Sequence, residues 1–201
     1  MSNNPLYPIF VKLHELKLLI VGAGEVGYEK LSFILKSSPN ANVTIVAHWI
    51  SPEVLSLIEE QEPKVTIHQR PFEKEDVKGH DLVIAATNIK QLNIEVQKIA
   101  KVEKILVNVA DTPELCDFYL GAIVTRGPLK VAISTNGQSP TFAKRFRQVL
   151  EEVLPNDVNK LLGNLHEFRN RLTGDFSYKV KELNKLTSTL LAENQTEKSN
   201  K

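Results

Sequence analysis

Three groups of residues could do chemistry by type and spacing. Gly22, Gly24 and Gly27, in Val21-Gly22-Ala23-Gly24-Glu25-Val26-Gly27, follow an apolar run and precede residues with helical spacing. In such a GxGxxG string the first glycine permits a tight turn and the second lets backbone amides approach a pyrophosphate. The third lets the next helix pack closely on a sheet. Backbone at Glu25 and Val26 would then offer free N–H groups and the positive end of a helix dipole to phosphates. A dinucleotide is the ligand class that fits. Asp111, in Asn108-Val109-Ala110-Asp111-Thr112-Pro113, follows another apolar run. Its carboxylate would stand where open α/β sheets put their ligands, as a general acid or base. Asp-Thr-Pro is equally a good turn or cap, and position alone leaves both readings open. Arg126, Lys144, Arg145 and Arg147 fall within one short segment and could hold anionic groups. Each singly reads just as well as a solvated surface cation.

Other residues would line the glycine site. Enzymes of this pattern that use NAD usually carry an acid at the end of the second strand for the ribose hydroxyls. Here that stretch is Val46-Ala47-His48-Trp49, with neither an acid nor an arginine for a 2′-phosphate. The adenosine end is therefore expected on backbone and on His48 and Trp49, and the glycine string does not choose between NAD and NADP. A loop packed on the sheet edge is the alternative for that pair. Ala85-Ala86-Thr87-Asn88 puts small residues where a cofactor would cross the sheet edge, with Thr87 as the expected contact. Ordinary strand-end packing is the other reading. Cys116 is the one cysteine, which excludes an internal disulfide and any CxxC site. No base adjoins it, so it reads as a packing residue. The five histidines lack metal-ligand spacing, and no stable metal site is expected.

These groups need elements to position them. Leu18–Val21, Val43–Ala47, Val65–His68, Leu82–Ala86 and Ile105–Val109 read as strands, with helices at Val26–Leu35, after Ser51-Pro52-Glu53, and at Leu92–Ala100. Strands that are apolar throughout and alternate with helices predict a parallel sheet covered on both faces, the doubly wound α/β (Rossmann-like) class. The rhythm then changes. Gly121–Val124 and Leu129–Ile133 are short strands separated by Thr125-Arg126-Gly127-Pro128, and Ser139-Pro140 opens a helix to Leu154. Helices at Asn156–Leu172 and Ser177–Ala192 precede a polar tail. The expected organisation is a dinucleotide-binding domain at 1–112, a dimerisation segment at 113–154, a helical region at 155–193 and a tail at 194–201. A lone two-strand pair cannot cover its own apolar face, so the middle segment predicts an intimate homodimer.

Across 201 residues the net charge is +1, so nothing in bulk favours nucleic acid or an anionic membrane. The N-terminal string MSNNPLYPIF lacks the basic and apolar regions of a signal peptide. No apolar run approaches the roughly 18 residues of a membrane span. A soluble cytoplasmic protein is expected.

Three blocks resemble the precorrin-2 dehydrogenase/sirohydrochlorin ferrochelatase family, which includes the N-terminal module of bacterial siroheme synthase. They are Leu6-Tyr7-Pro8-Ile9-Phe10 running into LLIVGAGEVGYEK, then LVNVADTPELCDF, then AIVTRGPLKVAISTNGQSPTFAKRFR. The resemblance implies siroheme biosynthesis, with NAD taking a hydride from precorrin-2 to give sirohydrochlorin, and in some members Fe²⁺ insertion as well. It puts the family's catalytic aspartate on Asp111. It also implies that Ser134 and Thr135, in Ser134-Thr135-Asn136-Gly137, touch the substrate, with Arg126, Lys144 and Arg145 receiving its carboxylates. A dinucleotide-sensing regulatory module is the competing reading. It would explain the glycine turn and a dimer, but not the NVADTP block or the paired strands with their basic helix.

Overall fold

The computed structural model describes residues 4–155 and 157–188. They divide into two compact units. One holds the chain up to Ala122 together with Ile133–Lys144, the other Ile123–Ala132 together with the chain from Arg145 onward.

The first unit is built on five parallel strands: β1 (Lys17–Ala23), β2 (Asn42–Ile50), β3 (Val65–Gln69), β4 (Leu82–Ala85) and β5 (Leu106–Val109). Their order is β3-β2-β1-β4-β5, so the winding reverses between β1 and β4. Helices α1 (Glu25–Ser37), α2 (Pro52–Gln61) and α3 (Lys90–Val102) lie between strands in the chain. Successive side chains of a strand point to opposite faces, and here both faces are covered. Leu18, Ile20, Val43, Ile45 and Ile84 pack with Leu31 and Leu35 of α1 and Val54 and Leu57 of α2. Leu19, Val21, Val46, Val83 and Val107 pack with Val96 and Ala100 of α3. Two buried faces explain why the strands show no polar alternation. Each such side chain contributes roughly 1.5–3 kcal/mol by leaving water. This is the doubly wound α/β architecture that the apolar pattern predicts.

Helix starts follow local chemistry. Ser51 caps α2, its Oγ accepting from the Val54 N–H at 3.3 Å, with Pro52 at the first position and Glu53 in the first turn. By contrast, the residue before α1 is Gly24, which has no capping side chain.

Two expected bounds need correction. β2 runs past the expected end at Ala47, so His48 and Trp49 lie within the strand, and the alternative of a sheet-edge loop does not hold. The pairing of β1 with β2 jumps from Val21↔Val46 to Ala23↔Ile50, and the extra residues of β2 bulge outward there. Arg126 is likewise the last residue of β6 (Ala122–Arg126), not part of a turn. Only Gly127, at φ +56°, and Pro128 separate it from β7 (Leu129–Ile133), because glycine accepts the left-handed bend without further residues.

Strands β6 and β7 form a separate two-stranded sheet. Three helices follow: α4 (Pro140–Val153), α5 (Val158–Arg171) and α6 (Phe176–Thr187). Asp175 caps α6 by accepting from the Tyr178 N–H at 2.8 Å. The end of the last expected helix, 189–192, and the expected tail lie outside the described residues. Among the described residues, no helix is long and apolar enough to cross a membrane.

Candidate functional site

The three glycines of the first turn differ in what requires them. Gly22 has φ +104°, and a methyl group on it would lie 2.6 Å from the Ala86 carbonyl oxygen and 2.9 Å from the Thr87 nitrogen. A methyl on Gly27 would lie 2.3 Å from the Gly22 carbonyl oxygen. The first glycine therefore lets the chain leaving β1 cross the end of β4, and the third lets α1 sit against the turn. Gly24 differs: among the described residues beyond its own neighbours, a methyl there would meet Trp49 Cζ3 at 4.0 Å. Beside that open space begins α1, whose first-turn N–H groups at Glu25, Val26 and Gly27 have no capping side chain. Free donors at the positive end of a helix, facing open space, suit a phosphate. The turn thus fits a dinucleotide pyrophosphate. The Glu25 side chain is exposed and that of Val26 half-buried, so backbone is what this stretch offers.

The end of β4 lies directly against the glycine turn. Ala86 N–H donates to the Val21 carbonyl at 2.8 Å, tying β4 to the glycine turn. Thr87 is held by a residue that sequence reasoning passed over. Asn93 of α3 accepts from the Thr87 N–H at 3.1 Å and from its hydroxyl at 2.6 Å, and donates to the Thr87 carbonyl at 2.9 Å. The Thr87 hydroxyl is therefore engaged within the protein. A signal existed: Asn93 is buried and shares the stripe of Val96 and Ala100 on α3, where a polar residue must have a partner.

Asp111 stands at the tip of a return loop after β5. Ala110 N–H still donates to Ala85 at 2.9 Å, and the chain then turns at Asp111 with φ +55°. That left-handed conformation is one that Asp tolerates better than most residues. The chain runs back along β5, with Asp117 N–H donating to the Val107 carbonyl at 2.8 Å. Side chains complete the fastening. Asp117 Oδ2 accepts from Val107 N–H at 3.1 Å, and its other oxygen pairs with Lys101. Asn108 Nδ2 donates to the Phe118 carbonyl at 2.8 Å, and Cys116 Sγ accepts from Val109 N–H at 3.2 Å. These polar groups satisfy the open edge of β5 in place of another strand. Asp111 itself is exposed, and among the described residues its carboxylate has no hydrogen bond or ion pair. Burial pushes the Cys116 thiol above its usual range, which keeps it an unreactive packing group.

The glycine turn, His48 and Trp49, Thr87 and Asp111 thus stand at the carboxyl ends of β1, β2, β4 and β5, on one rim of one sheet. The remaining predicted residues belong to the chain beyond β5. Ser134 Oγ accepts from Asn136 N–H at 3.2 Å, and Thr135 Oγ1 accepts from Ser139 N–H at 3.1 Å. Both hydroxyls hold the bend into α4, where Asn136 and Gly137 have positive φ. Lys144 is exposed. In the second unit Arg126 Nη2 donates to the Glu151 carbonyl at 2.7 Å, and Arg147 pairs with the Glu151 carboxylate at 2.6 Å. Arg145 is exposed and donates to Gln148 Oε1 at 3.1 Å. Among the described residues, no cluster of three or more His, Cys, Asp or Glu side chains could hold a metal ion.

Comparison with known proteins adds to this geometry. The family described as "Putative NAD(P)-binding" matches residues 9–122, and that described as "Sirohaem biosynthesis protein central" matches residues 126–152. A siroheme synthase of Pseudoalteromonas atlantica is 42% identical over 172 residues, 85% of this chain and 36% of that protein. One of Vesicomyosocius okutanii is 36% identical over 170 residues, with the same shares covered. The chain thus spans about a third of the length of these curated relatives. The solved structure of SirC, precorrin-2 dehydrogenase, superposes with a TM-score of 0.66 at 26% identity, covering 90% of this chain and 89% of that one. With more than half of its length matched and the glycine turn built as a dinucleotide requires, the chain belongs to the NAD(P)-binding family.

Proposed function

We propose that this chain is an NAD-dependent dehydrogenase of siroheme biosynthesis that oxidises precorrin-2 to sirohydrochlorin. The observation that carries the proposal is the exposed carboxylate of Asp111, on the same rim as the open glycine turn. The likeness to a precorrin-2 dehydrogenase over nearly the whole chain, and to the siroheme synthases over 85% of it, supports the choice of substrate.

In this reading the amides at Glu25 and Val26 bind the pyrophosphate beside Gly24. His48 and Trp49 lie toward the adenosine half, and Thr87 is a fixed strand end against which the cofactor rests. Bound nicotinamide supplies a hydride acceptor. Asp111 takes the proton that leaves the macrocycle as the hydride departs, so oxidation removes one of each. The same carboxylate would assist pyrrole deprotonation when Fe²⁺ enters as a substrate. Lys144 and Arg145, both exposed, are the proposed partners of the macrocycle carboxylates, with Ser134 and Thr135 contributing through their bend. Arg126 would join them only by giving up its bond to the Glu151 carbonyl. We further propose a cytoplasmic homodimer, with the four-part division of the chain at 112, 154 and 193. Exposed Val149, Val153, Leu161, Phe176 and Leu186 on α4, α5 and α6 support a partner for those helices.

Purified protein given precorrin-2 and NAD should form NADH as sirohydrochlorin absorbance appears. No turnover with NAD or NADP would overturn the assignment. Adding Fe²⁺ to sirohydrochlorin then tests chelation, and light scattering tests the dimer.

A further inference from the structure

The rim of β2 lacks the group that normally reads the ribose, and the structure offers a substitute. Ala47 is buried, and the Ser51 hydroxyl is occupied in capping α2. Glu53, the next acid along the chain, is in the first turn of α2, beyond that cap. What the bulge presents outward is His48 and the indole of Trp49, which is 59% exposed, a large value for a tryptophan. The backbone that follows the indole is anchored: Ala23 pairs with Ile50, and Ser51 N–H donates to the Ala23 carbonyl at 2.9 Å, so the residues just after Trp49 are tied to the glycine turn. The indole Cζ3 atom lies 4.0 Å from where a methyl on Gly24 would stand.

We infer that the Trp49 indole is the platform on which the adenine base of the dinucleotide stacks, in place of an acid on the ribose. This rests on the dinucleotide reading of the same turn. A nucleotide whose pyrophosphate lies at Gly24 extends along the rim toward β2, where the first surface it meets is this ring. Recognition by stacking takes the base by its π-face and leaves the ribose hydroxyls to solvent or His48.

Trp49 is the only tryptophan in the chain, so intrinsic fluorescence reports on this ring alone. NAD and ADP should both quench it saturably, while nicotinamide mononucleotide, which lacks adenine, should not. Trp49→Ala should weaken NAD and ADP in parallel, by about 5- to 150-fold, the range for one base–aromatic stack. Trp49→Phe should recover most of that loss, and Glu53→Gln should bind NAD like the parent. Because the ring is exposed, thermal unfolding of Trp49→Ala should match the parent, which separates lost stacking from lost fold. Calorimetric NAD binding without quenching, or parental affinity in Trp49→Ala, would overturn the inference. No calorimetric binding of NAD or NADP by the parent chain would overturn the cofactor reading itself, and stacking with it.

Discussion

Gly24 and Gly27 stand three residues apart in one turn, and the structure predicts opposite consequences for changing them. A methyl at residue 27 would sit 2.3 Å from the Gly22 carbonyl oxygen, a backbone atom fixed between β1 and the end of β4. Relief requires moving α1 off the turn, and overpacking of this kind costs about 1–3 kcal/mol. For a chain of this size each kcal/mol lowers the melting temperature by about 2–4 °C, so Gly27→Ala should melt roughly 2–12 °C lower. Gly24→Asp should do the reverse. Its side chain enters open space, and Asp at a helix N-cap is better than Gly by a few tenths of a kcal/mol, so stability should hold or rise slightly. The new carboxylate would stand in the phosphate position, however. At a separation of about 4 Å the repulsion is about 4 kcal/mol near a protein surface, on the order of a thousandfold in affinity. Circular dichroism melts and calorimetric NAD titrations of both variants check this. The reasoning fails if Gly24→Asp binds NAD normally, or if Gly27→Ala melts with the parent.

Asp111→Asn keeps a residue that tolerates φ +55°, so it should fold normally and hold NAD with parental affinity. Turnover of precorrin-2 should nevertheless fall by about a hundredfold or more, and retention of most of the rate would remove the proton-transfer role. Asp117→Ala strips the acceptor from Val107 N–H and leaves Lys101 without its partner, so urea unfolding should register a loss of about 1–3 kcal/mol. After β3, the hydrogen bond from Arg70 holds the Asp76 carboxyl below its usual 3.8 against the opposing effect of its burial. A depressed carboxyl stabilises the fold above the unfolded value and loses that contribution as pH falls through the lower folded one. Stability of the parent should therefore decline as pH drops below about 4, and Asp76→Asn should flatten that decline without reproducing the parent's stability at neutral pH.

The sheet was legible in the chain because its physics is local and repetitive. Strands buried on both faces must be apolar throughout, as Leu18–Val21 and Leu82–Ala85 are, and the helices between them force parallel pairing. The glycine turn was legible for a related reason: Gly22 and Gly27 have no room for a side chain, so their spacing survives as a signature. Tertiary structure decided what those residues do. Only the folded chain separates Gly22 and Gly27, which the protein needs for its own packing, from Gly24, which faces open space. Only the pairing of β2 with β1 shows that His48 and Trp49, expected past the strand's end, form an outward bulge within it. The same holds for Asp111. Its position after an apolar strand was visible, but the polar fastenings by Asn108, Cys116 and Asp117 that hold it at an exposed tip were not. Hydrogen bonds between residues distant along the chain leave no period to read. The sequence by itself determined the framework and the place of its ligand turn, through burial and backbone sterics. The long-range polar contacts that aim individual side chains exist only once the sheet has closed.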